Sequence, residues 1–194
     1  MKTPPAFLVF ACLAVLFAPK AAFARRQPEL TLEIDEGKPT FLHNRKSFDC
    51  ANGVNHGGGC TRVHFYVETT RVKPAPDGGI GAVTLKVGLR NVEVELSNDL
   101  KKGSCLFNAT LKHELTHLAL HRNVLRKFAP EIAKAALATI EKMPPPLTAA
   151  QVKKLNGILK RQVDHMIAQD REQNALMDSD AAYLYQDKQC AGKK

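Results

Sequence analysis

Between residues 29 and 96 apolar side chains recur at every second position. Leu30, Leu32 and Ile34 form one such set, and Val63, Phe65 and Val67 a second. Val83, Leu85, Val87 and Leu89 form a third, and Val92, Val94 and Leu96 a fourth. Successive side chains of a strand point to opposite faces, so a period of two predicts strands with one face buried. The stretches DEGKP, ANGVNHGGG and KPAPDGG lie between these sets. They are rich in turn formers and predict chain reversals. A small antiparallel sheet is the expectation.

After SNDLKKGS the period changes. Leu111, Leu115, Leu118, Val124 and Leu125 recur at helical steps, and Ser104 or Asn108 can cap the start. Pro130 is expected to kink or break this helix, because it lacks an N–H and its ring crowds the preceding turn. EIAKAALATIEK would then be a second helical piece before Pro144, Pro145 and Pro146. Thr148 and Gln151 form a capping box opening a long helix toward Tyr185. No internal repeat or low-complexity tract is visible. The fold class expected is α+β, a small antiparallel sheet followed by a long helical hairpin. It forms one domain over residues 25–194, mainly strands over 25–100 and mainly helices over 101–194.

The first 24 residues read differently. Lys2 precedes the apolar run FLVFACLAVLFA, and Ala22, Phe23 and Ala24 make an A-x-A cleavage site. This is the pattern of a secretory signal peptide, residues 1–24. The run is short for a bilayer span and no second one follows, so no transmembrane segment is expected. The protein is therefore expected to be exported, periplasmic or secreted. Cys12 leaves with the leader. Cys50, Cys60, Cys105 and Cys190 remain, and an even number in an exported chain points to disulfides. Three connectivities exist. Close spacing around a turn-rich stretch favours Cys50 with Cys60, which leaves Cys105 for Cys190.

Charge changes the picture little. The 28 Lys and Arg against 19 Asp and Glu give +9, and +7 once Lys2 and Lys20 leave with the leader. The basic residues are scattered, aromatics are 6% of the chain, and no nucleic-acid motif appears, so no nucleic-acid partner is expected.

The chemistry lies in HELTH, residues 113–117. Two histidines four apart stack on one helical face and can reach one Zn²⁺, with Glu114 beside them as general base. His121 lies on the same edge, but about 8 × 1.5 = 12 Å along the axis from His113, so it is an alternative third ligand rather than the first choice. The better candidates lie on the second arm of the hairpin. If the chain folds back about Pro144 and Pro145, His113 faces the neighbourhood of Leu176 and His117 that of Glu172. The apolar face formed by Val152, Leu155, Leu159, Val163 and Met166 extends to Asp170 and Asn174, with Asp178 at its flank. Asp178 is the expected third ligand, ahead of Asp180 and Asp170. Tyr183 and Tyr185 are candidate hydrogen-bond donors to an oxyanion.

The leader, GSCLFNATLKHELTH and MDSDAAYLYQDKQC together resemble a family of small exported bacterial proteins labelled secreted zinc-dependent proteases, within the broad zincin group. The resemblance covers residues 83–190. It is sharpest at the cysteine eight residues before HELTH and at the Asp178-Ser179 step before the last cysteine. It implies a zincin-like fold with His113 and His117 as metal ligands and Glu114 as base. Where that family carries a later histidine and glycine, this chain reads DAAYLYQ, and zincins with an aspartate ligand are the precedent for Asp178.

The function expected is that of an exported zinc metallopeptidase acting on a peptide or protein substrate. The stretch 92–96, just before the helix, is a candidate edge for an extended substrate. The alternative is a non-catalytic envelope-binding module or adaptor, with a structural metal or none. Oligomeric state and substrate identity are open at this level.

Overall fold

The computed structural model describes residues 27–45, 58–179, 188, 190 and 191. The expected leader, Cys50, Asp180, Tyr183 and Tyr185 lie outside the described residues. Among the described residues four strands precede two helices: β1 (Glu29–Asp35), β2 (Thr40–Arg45), β3 (Gly59–Pro74), β4 (Ile80–Ser97), α1 (Cys105–Ile140) and α2 (Ala149–Met177). The class is mixed α and β, a small sheet with two long helices. Among the described residues no helix is long and apolar enough to cross a membrane.

The third and fourth alternating sets prove to be one strand, β4. Its apolar positions change parity between Leu89 and Val92, which in a regular strand would turn the second set to the other face. A bulge absorbs the change. Arg62 of β3 pairs with Glu93 and His64 with Arg90, so Asn91 and Val92 together oppose Val63. Asn91 adopts φ 51°, a left-handed conformation that asparagine tolerates better than most residues. All of Val83, Leu85, Val87, Leu89, Val92 and Val94 thereby enter one core.

The sheet is mixed, not antiparallel throughout. β3 runs antiparallel along the whole of β4, whereas β1 and β2 both pair with β4 in parallel. β1 matches residues 82–88 and β2 residues 93–97, so the two follow one another along a single edge. Alternation assigns faces but carries no information on the direction of a neighbouring strand. The break between β1 and β2 lies over the bulge. Gly37 has φ 66°, and a Cβ there would come within 2.6 Å of Val92 Cγ2. Arg122 of α1 holds this turn, donating to the carbonyls of Glu36 at 3.3 Å and Gly37 at 2.9 Å. β2 was not apparent from periodicity: Phe41 is exposed and TFLHNR does not alternate.

Ser104 caps α1, its hydroxyl accepting from the Phe107 amide, and Thr148 with Gln151 completes the capping box of α2. Pro130 does not end α1, which continues for 36 residues through the EIAKAALATIEK piece. Pro130 is exposed, while Phe128, Ala129, Ile132 and Ala133 on either side are buried in the core. Tertiary packing on that face outweighs the lost hydrogen bond. The core lies between β4 and one face of α1, and is closed by Leu155, Leu159, Val163 and Met166 of α2.

Candidate metal centre

The two helices run antiparallel, and the contacts between them fix a register. His113 meets Asp178, His117 meets Asn174, and His121 meets Asp170. Each pair lies equally far from a point between Pro145 and Pro146. A fold centred on Pro144 and Pro145 places His113 two residues short of its actual partner. The shift brings Asp178, the C-cap of α2, level with the first histidine.

At that level three donor atoms converge. His117 Nε2 is 2.9 Å from His113 Nε2 and 2.9 Å from Asp178 Oδ1, and His113 Nε2 is 3.3 Å from the same oxygen. All three ligand atoms of His113, His117 and Asp178 lie within 4.8 Å of one another. A tetrahedral zinc site with bonds of about 2.0 to 2.1 Å has donors about 3.3 Å apart, close to these separations. Two imidazoles and one carboxylate are also the donor types that such a site employs. The three residues therefore fit a zinc ion by spacing and by chemistry. Three protein donors on such an ion would leave a fourth position for water or substrate.

His121 is not in this group. Its Nδ1 lies 2.7 Å from Asp170 Oδ1, with both residues buried, and its ring meets Phe65 edge-on at 6.2 Å. Asp170, the weaker alternative for a ligand, is thereby committed to His121.

Glu114 follows His113 but packs toward the sheet. The Thr61 hydroxyl of β3 lies 2.8 Å from its Oε2 and 2.9 Å from its backbone oxygen. Gly59 admits it at close range: a Cβ there would come within 2.8 Å of Glu114 Cγ and 2.9 Å of Oε1. Next to Thr61, Arg62 pairs with Glu95, almost fully buried on β4, so that carboxylate's loss of hydration is compensated. Burial pushes the Glu114 carboxyl above the usual carboxylate range. The Thr61 hydroxyl and the imidazoles of His117 and His113 oppose that rise, and Asp178 adds to it. Burial lowers the basicity of His117, but hydrogen bonds to Asp178 and Asn174, with the charges of Asp178 and Glu114, outweigh it and hold the imidazole above its ordinary value.

Cys105, at the start of α1, is joined to Cys190 with an S–S distance of 2.08 Å. Cys60 is also disulfide-bonded. The stretch 92–96 is not a free edge, since β2 pairs with it on one side and β3 on the other. Sequence reading assigned no role to Thr61 or Gly59. Their contacts with Glu114 span 53 residues or more and leave no local signal. Compared with protein-family models, with curated proteins and with solved structures, the chain matches none.

Proposed function

We propose that the chain is an exported zinc metallopeptidase of the zincin type, with His113, His117 and Asp178 as metal ligands and Glu114 as general base. The observation that carries this reading is the convergence of three donor atoms from two helices, 61 and 65 residues apart in sequence. The HELTH motif accounts for two of them, and the hairpin supplies the third at zinc-like spacing. A bound zinc ion would supply Lewis acidity, polarising a peptide carbonyl and making water acidic near neutral pH.

The chain's own residues account for the remainder. Asp178 neutralises part of the cation's charge and ties the end of α2 to the motif. Glu114, held by Thr61, accepts a proton from the attacking water at its carboxylate and delivers it to the departing amine. The resemblance to secreted zinc-dependent proteases, the leader sequence and the disulfide are consistent with a site of action outside the cytoplasm.

The test uses the oxidised mature protein. Zinc is measured per chain by plasma mass spectrometry, and cleavage of an unstructured protein substrate is compared with that by Glu114→Gln. About one zinc per chain in both, with cleavage lowered by about 100-fold to 10,000-fold in the variant, is the expected result. Equal cleavage by the two would remove Glu114 from the role of base. Absence of zinc from the unaltered protein would overturn the reading.

A further inference from the structure

Behind the ligands lies a polar chain that HELTH does not account for. Asn174, 4% exposed, and Asp170, 6% exposed, are buried between the helices with His117 and His121. Asn174 Nδ2 is 2.8 Å from the Asp170 backbone oxygen and 3.2 Å from Asp170 Oδ1. Both neighbours accept hydrogen bonds only, so the amide nitrogen must face them and donates both its protons there. The amide oxygen is then turned the other way, 2.7 Å from His117 Nδ1. An amide oxygen accepts and cannot donate, so the proton of that contact resides on Nδ1.

From these directions we infer that Asn174 is a positioning residue: it holds a proton on His117 Nδ1 and so reserves Nε2, which faces Asp178 Oδ1, as the nitrogen that a cation can take, although without a cation the Asp178 carboxylate competes for a proton at Nε2. Asp170 holds the amide in the required orientation and is itself held by His121, whose Nδ1 lies 2.7 Å from the carboxylate. His121 thereby acquires a role without being a ligand, as the far end of a four-residue relay. In the other tautomer a proton on Nε2 would occupy the direction in which a cation must bind. The inference rests on the metal reading for its consequence but not for its geometry.

The two are separated by experiment. Long-range ¹H–¹⁵N correlation spectra of the metal-free Asp178→Ala variant, in which that carboxylate no longer competes for a proton at Nε2, recorded at about pH 9, report the tautomer of His117 directly. A protonated Nδ1 and bare Nε2 are expected, and a protonated Nε2 would overturn the inference. Zinc affinity is measured by competition with a chromophoric chelator, in the unaltered protein and in Asn174→Leu, which keeps the side chain's shape and removes its acceptor. A loss of about tenfold to a hundredfold is expected, and an unchanged Kd would overturn the inference. Asp170→Asn, whose oxygen can still accept from Asn174, is expected to stay within a few-fold of the unaltered protein. A loss there equal to that of Asn174→Leu would sink the orienting role assigned to Asp170. If Asn174→Leu fails to fold, the tautomer measurement on the Asp178→Ala variant decides alone. The Nδ1–H tautomer in Asp178→Ala together with no zinc affinity in the unaltered protein would remove the metallopeptidase reading and leave this inference standing.

Discussion

At the scale of single residues, the three histidines of ATLKHELTHLALHRNVL divide by what faces them. His113 and His117 meet Asp178, whereas His121 is spent on Asp170. Replacing Asp178 with Ala should therefore weaken zinc binding by more than the tenfold to hundredfold that outer partners carry, measured by chelator competition. His121→Gln should leave zinc per chain unchanged. It should still cost about 1 to 3 kcal/mol of stability in urea titration, because it disturbs a buried hydrogen bond to a carboxylate. Helical spacing alone separates these roles in part, since a rise of 1.5 Å per residue places His121 too far from His113. It does not identify the acid that faces each ring. Choosing Asp178 over Asp170 needs the register of the helices to within two residues, and that register is set by the turn and the packing between them.

At the scale of elements, caps and faces were legible. Ser104, Thr148 and Gln151 act locally, through backbone groups three residues away, so a short sequence window contains the whole interaction. The buried face of α2, from Leu155 to Asn174, also follows its period. The misread elements are those decided at a distance. Pro130 lies within α1 because core residues flank it, β2 exists because β4 offers an edge, and the bulge at Asn91 merges two apparent strands. The start of β3 matters most for the site, since it presses Gly59 and Thr61 onto Glu114. Gly59→Val should displace that carboxylate while sparing the histidines. An ångström of misplacement commonly costs about a hundredfold in rate, so kcat should fall by that order with zinc per chain unchanged. A parallel loss of zinc would place the damage in α1 itself rather than in the strand contact.

At the scale of the whole molecule, the site depends on closure of a long loop. Cys105 and Cys190 are 85 residues apart, and the segment between them contains His113, Glu114, His117 and Asp178. Constraining a loop of that length in the unfolded chain stabilises the fold by roughly 4 to 5 kcal/mol in the chain-entropy account. Replacement of both cysteines by serine, which leaves the disulfide of Cys60 in place, should lower the urea midpoint accordingly. It should also weaken zinc binding, because the chain beyond Asp178 loses its tie to the start of α1. Unchanged zinc affinity in that variant would show that packing of α2 alone holds the aspartate. By itself the sequence determined the residue types, the pairing of two histidines on one helical face, the caps and the faces, because helical and strand periods and capping bonds act within a few positions. Only the tertiary structure decided the direction of the strands, the partner of each histidine and the clamp on Glu114. Those depend on surfaces brought together across as many as 65 residues, where the order of amino acids along the chain carries no distance.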